Sequence, residues 1–214
     1  DYVKALSQVY EKCETLTGEV AFFIEQVTGH LIPDMRYALK NGIKAMLNDI
    51  EEKQKTANKD QYENYEAMKV ALDCALILAK RYKEIAEEKL AVAEGDRKEE
   101  LKLLIDTLEK VPENGAENLY EAIQSFIILW ETMCLEQAPN PFAFSVGNAD
   151  RIFEPYRAKD NLSREETAAL FKHFLVFFNV ADRSWAISQN LIVSGRDVEG
   201  NDLTNLSTYA LLDA

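Results

Sequence analysis

Apolar residues recur every three or four positions along most of this chain, the spacing of one face of an α-helix. The first such run covers about residues 2–27, in VYEKCETLTGEVAFFIEQV, and TGHLIPD breaks it at Gly29 and Pro33. A second helix is expected from PDMRYALKNGIKAMLNDIEEKQ, with Pro33 in its first turn and Gly42 as a mild interruption. The clearest pattern follows. Asp60 and Glu63 have capping-box spacing, and Tyr65, Met68, Leu72, Ala75, Leu76, Ala79, Tyr82 and Ala86 form one apolar stripe, with Gly95 as the expected stop. A shorter amphipathic piece, RKEELKLLIDTLEKV, comes next. The softest points are expected at residues 51–60 and 94–98, both charged and polar.

Two later helices are far more apolar. Asn118 can cap the first, with Glu121 three residues on, and its centre AIQSFIILW is apolar nearly all round, so it should be buried on most faces. Ser163 and Glu166 cap the second, SREETAALFKHFLVFFNVAD. Helices this apolar need large partners to bury them. Between them Pro139 and Pro141 bar a helix, and FAFSV reads as a short buried strand. SWAISQNLIVSG is the other strand candidate. Two strands separated by a helix form a βαβ-like unit, which implies a parallel pair whose outer edges need neighbours. In the polar turn that follows, Gly195 and Gly200 are expected to take positive φ.

Charge narrows the partners. The 214 residues carry a net charge of −13, which repels phosphate backbones and anionic lipid alike, so neither nucleic acid nor membrane is an expected partner. The longest apolar stretches, such as FIILW, are too short to cross a bilayer, and the first residues lack a secretory signal. The three cysteines, Cys13, Cys74 and Cys134, are widely spaced without a CxxC. They suggest buried thiols in a reducing compartment, the cytoplasm, not a disulfide frame. Only His30 and His173 could join them at a metal, so no metal site is expected.

Familiar catalytic signatures are missing: there is no GxGxxG, GxxxxGK[ST], GxSxG or HExxH. His30 sits in a break between helices, where side chains often face a site, although an imidazole there can equally cap the preceding carbonyls. Ser145, inside an apolar run, reads most simply as a buried hydroxyl bonded to backbone. Asp150 and Arg151 could pair structurally below it. GRDVEGNDLTN lacks the spacing and terminal Glu of an EF-hand and reads as a turn.

Five stretches, in order, resemble the glycyl radical enzymes, the pyruvate formate-lyase family. They are GHLIPDMRYALKNGIKAML, VPENGAENLYEAIQSF, SVGNADRIFEPYRAKD, LSREETAALFKHFLVFF and NLIVSGRDVEGNDLTNLSTYALLDA, spanning about residues 29–214. The third is similar to that family's S-x-G-R-x-D-x-x-x-x-P-Y-x-x-D segment. The resemblance implies a mainly α chain with a few short strands: the N-terminal part of a ten-stranded α/β barrel. Residues 1–214 would then be a partial domain, helical over about 1–135 and starting the barrel over about 136–214, with Asn205 capping the last helix.

The resemblance also implies a mechanism: a glycyl radical generates a Cys thiyl radical, which takes hydrogen from a small organic substrate, giving a radical lyase or dehydratase. An activating enzyme carrying an iron–sulfur cluster and S-adenosylmethionine installs the radical, and a homodimer is expected. The Cys and Gly loops would lie beyond Ala214, so this chain would be a fragment, inactive alone and binding no cofactor directly; no catalytic residue is assigned within it. His30 aligns with a cavity histidine of some dehydratase-type members, and residues 142–145 with a cavity-lining strand, so His30, Phe142, Phe144 and Ser145 are the expected substrate-binding residues. The sequence departs from the family at several points. Phe142 and Ala143 stand where dehydratases have His–Ser, which argues against a polyol such as glycerol. Asn148 stands where the family has Arg, and Ser194–Gly195 replaces a Gly–Gly. The alternative is a non-catalytic acidic helical scaffold that binds a partner.

Overall fold

The computed structural model describes residues 31–136, 144–178 and 189–214, together with Gln8. These residues are mainly helical, with two short parallel strands. The expected helix over residues 2–27, His30, Phe142 and Cys13 lie outside the described residues.

Helix α1 (Met35–Gln54) begins two residues after Pro33, which lies outside it and not in its first turn. Asp34 is the N-cap, and its carboxylate accepts the Arg36 N–H. Gly42 is more than a mild interruption. At φ 77° and ψ 170° it breaks the helix, and the loop at 112–116 enters the gap. Ile43 and Lys44 donate N–H to the Pro112 and Glu113 carbonyls, each at 2.9 Å, and Ala116 donates to Leu39 O at 2.8 Å. A side chain at Gly42 would place its Cβ 2.4 Å from the backbone of Asn114. Only glycine offers both the dihedral and the room.

Helix α2 (Lys59–Leu90) follows a short turn and packs against α1. Its capping box is Asn58 with Gln61, not Asp60 with Glu63: the Asn58 side chain accepts Gln61 N–H at 2.9 Å, and Gln61 returns an acceptor to Asn58 N–H at 3.0 Å. Starting the helix two residues earlier satisfies both N–H groups. Along the expected stripe Ala75, Ala79 and Ala86 are buried, while Met68 and Tyr82 stay exposed. Gly95 does not stop α2, which ends at Leu90; it opens α3 (Gly95–Leu108).

Helix α4 (Leu119–Glu136) joins two cores, which explains why its sequence is apolar nearly all round. Ile128 faces Ile43, Ala75, Ala79 and Leu108 of the first three helices. Phe126 and Trp130 face the larger core. Asn118 caps α4 as expected, accepting Glu121 N–H at 2.8 Å, but the Glu121 carboxylate reaches back to Glu117 N–H instead of Asn118.

Strand β1 (Gly147–Asn148) pairs in parallel with β2 (Leu191–Ile192), Gly147 opposite Leu191. The pairing falls just after the expected strand FAFSV, and two helices, not one, make the crossover. The additional one is α5 (Ala149–Asp160), which the sequence pattern hides because Pro155 lies inside it. The other, α6 (Arg164–Phe178), carries the expected Ser163–Glu166 capping box: Glu166 N–H donates to Ser163 Oγ at 3.2 Å and Ser163 N–H to the Glu166 carboxylate at 2.9 Å. Around Phe126, the rings of Phe153, Phe174 and Phe178 stand edge-on at centroid separations of 5.5–6.2 Å. The last helix, α7 (Leu206–Asp213), is capped by Asn205, whose side chain accepts Thr208 N–H at 3.0 Å.

Candidate functional site: three adjoining segments and the cleft beside them

Three segments distant in sequence run side by side. Ser145 N–H donates to Leu31 O at 2.9 Å, and Val146 N–H to Asn190 O at 3.3 Å. The stretch following His30 is thereby tied to the stretch containing Ser145, and both to the approach to β2. Ser145 is buried and its Oγ accepts Asn190 N–H at 3.0 Å, the backbone-bonded hydroxyl that its apolar setting suggests. Phe144 is also buried; it belongs to the larger core, and its carbonyl accepts the Trp130 indole N–H at 3.0 Å.

The side chains of Asp150 and Arg151 form no ion pair with each other. Both instead hold Ser194, two residues after β2, where φ is +61°. Asp150 Oδ2 accepts Ser194 N–H at 2.6 Å and the Thr208 hydroxyl, while Oδ1 accepts Arg151 N–H at 2.8 Å. Arg151 Nη2 donates to Ser194 O at 2.7 Å. One turn along α5, Glu154 accepts both N–H and Oγ of Ser207, at 3.1 and 2.7 Å, and pairs with Arg157 at 2.7 Å. Burial raises the Glu154 pKa, but hydrogen bonds from Arg157 and Ser207 outweigh it and hold the carboxyl below its ordinary range. Two acids on α5 thus fix the β2 exit and the start of α7. Gly195 and Gly200 take the expected positive φ, and Asp197 accepts N–H groups of Glu199 and Asn201, closing the turn.

Beside the three segments lies a cleft of about 290 Å³, lined by Ile32, Asp34, Arg36, Gly147, Asn148, Arg151 and Ile192 among others. A second, apolar groove of about 760 Å³ runs between α1, α2 and α4, past Leu72, Leu78, Leu129 and Met133. No local motif announces the cleft: Arg36 and Arg151 meet only through the fold. No helix among the described residues is long and apolar enough to cross a membrane.

A model of the pyruvate formate lyase-like family matches residues 5–214. The chain belongs to the pyruvate formate lyase-like family. Its relatives are glycyl radical enzymes. It is 27% identical over 208 residues to the isethionate sulfite-lyase of Bilophila wadsworthia, an alignment covering 85% of this chain and 25% of that protein. A structure described for 1,2-propanediol dehydration in Roseburia inulinivorans superposes with a TM-score of 0.80 at 25% identity, over 87% of this chain and 26% of that one. A glycyl radical enzyme from Archaeoglobus fulgidus gives 0.74 at 26% identity, over 87% and 27%. The chain spans about a quarter of the length of the relatives it matches.

The described residues of this pyruvate formate lyase-like chain do not fit the radical relay itself. Cys134 is buried on α4, where desolvation and then Glu131 push its thiol up to about 12. Cys74 departs from the expectation of buried thiols: it is exposed on α2, beside the apolar groove. Gly42 and Gly115 are pinned against backbone, at 2.4 and 2.0 Å from where a Cβ would sit. No radical step is therefore derived through this chain.

Proposed function

We propose that this chain builds one wall of the substrate cavity in a glycyl radical lyase or dehydratase acting on a small organic substrate. The Cys and Gly loops would be supplied by sequence outside the matched quarter. The observation that carries the reading is the superposition, at a TM-score of 0.80, on an enzyme structure more than three times as long. The meeting of the 31, 145 and 190 segments supports it, since it gathers the stretches holding Ser145, Phe144 and, next to Leu31, His30. In this reading His30, Phe142, Phe144 and Ser145 form or back that wall. Residues 1–214 are the helical lead-in and first strands of the barrel, and the chain alone is inactive. The whole enzyme works in the anaerobic cytoplasm as a homodimer, after an S-adenosylmethionine and iron–sulfur activating enzyme installs its radical.

The test is anaerobic activation of the protein from the complete reading frame, followed by electron spin resonance and by turnover assays with isethionate and 1,2-propanediol. A glycyl doublet and product from either substrate are expected. A complete, activated protein without a radical signal overturns the reading.

A further inference from the structure

Relatives of this chain are named for a sulfonate, isethionate, and for a neutral diol, 1,2-propanediol. The cleft at the start of α5 separates these classes. Arg151 lines it with only part of its fork in use: Nη2 is given to Ser194 O, Nε is sealed inside the protein without a partner, and Nη1 makes no hydrogen bond among the described residues. Among the described residues no carboxylate forms an ion pair with Arg151. Asp150, its neighbour, spends its acceptors on Ser194, Thr208 and the Arg151 backbone. A guanidinium carries five donors in a fixed plane, so Nη1 can serve an acceptor in the cleft while Nη2 keeps Ser194.

Two other groups line the same cleft. Asn148 is the N-cap of α5, yet its side chain makes no capping hydrogen bond, so its amide is not spent on the helix; the Asp150 carboxylate takes the Arg151 N–H of the first turn instead. Arg36 stands on another wall, matched in charge by Asp34 at 3.2 Å. The unmatched charge is therefore the one on Arg151. The volume, about 290 Å³, admits only a small molecule.

We propose that this cleft binds the oxyanion head, carboxylate or sulfonate, of a small acid through Arg151 Nη1, assisted by the Asn148 amide and Arg36. The substrate is then anionic, not a neutral diol. This rests on the cavity-wall reading only in calling the ligand a substrate; the anion site itself stands on the cleft.

The experiment titrates the 214-residue protein with methanesulfonate, acetate and 1,2-propanediol, following amide resonances by NMR. Saturable shifts at residues 147–151 are expected with one or both anions and not with the diol, and the stronger anion names the head group. Arg151→Gln, which keeps a donor for Ser194, should weaken anion binding at least about tenfold. Arg36→Gln should weaken it about threefold, as an exposed charge does. Arg151→Lys serves as the control if the glutamine variant unfolds: it keeps the charge but not the fork and should also bind several-fold more weakly. Equal shifts with the diol, or unchanged anion binding in both Arg151 variants, overturn the proposal. Those outcomes would leave the electron spin resonance test untouched, so the two readings fail separately.

Discussion

Asp150 Oδ2 accepts the backbone N–H of Ser194 at 2.6 Å, across 44 positions of sequence. The carboxylate is fully buried and also takes the Thr208 hydroxyl and the Arg151 N–H, so its desolvation is offset by three donors. Asp150→Ala strands those donors in the interior. The expected loss is about 3 kcal/mol of unfolding free energy, read from urea denaturation. A loss below about 1 kcal/mol would show that water replaces the carboxylate at no cost.

Phe126 should be among the costliest core positions. Its ring is fully buried against three others, so Phe126→Ala is expected to cost about 3–5 kcal/mol. Val176 on α6 is 66% exposed, and Val176→Ala should change stability by less than about 0.5 kcal/mol. Paired thermal melts of the two variants check the contrast.

Two glycines share a positive φ but differ in space. At Gly42 an added Cβ meets Asn114 backbone at 2.4 Å; at Gly200, with φ +87°, it meets nothing within 4 Å. Gly42→Ala therefore combines strain with a clash and should cost about 3 kcal/mol or more. Gly200→Ala carries only the dihedral penalty, about 1 kcal/mol. Equal losses in denaturant melts would argue that α1 and the 112–116 loop separate freely.

Two glutamates should respond to pH in opposite senses. Burial raises the pKa of Glu131 above its ordinary 4.5, despite a hydrogen bond from Tyr82. Its protonated form is favoured in the fold, so that contribution is present below pH 4.5 and is lost as pH rises through the folded value. Glu131→Gln should raise the melting temperature at pH 7 by a few degrees and have less effect near pH 4. Glu154 has a folded value below its ordinary 4.5, so its contribution is present above pH 4.5 and is lost as pH falls through the lower folded value. Glu154→Gln should destabilise at pH 7, with the deficit shrinking toward pH 3. Melting curves across that range check both signs.

The helices with reciprocal caps were legible where cap and apolar run agreed, as at Ser163 with Glu166 and at Asn205. The all-round apolarity of α4 also translated directly, because one helix serves two cores through Ile128 and Phe126. Pattern failed where a local rule competed with tertiary fit. Pro155 argues against a helix, yet α5 runs through it because Ile152 and Phe153 are buried on its inner face. Gly95 reads as a stop but opens α3. At the start of α2 two acceptable caps lie two residues apart, and composition alone does not choose between Asn58 and Asp60. That Arg36 and Arg151 line one cleft carries no local signature, because they lie 115 positions apart in the chain.

The Asp150 carboxylate also imposes an order in time. Its partner Thr208 follows 58 positions later in the chain, so on a ribosome adding about 5–20 residues per second it emerges ~3–12 s after Asp150. Until then α5 holds a carboxylate that lacks its Thr208 donor, and water must fill that place. The aromatic cluster beneath it can gather early but cannot dry out completely. The last step of this region's co-translational folding is then the arrival of α7, and slowing synthesis between residues 150 and 208 should prolong a hydrated, protease-sensitive intermediate.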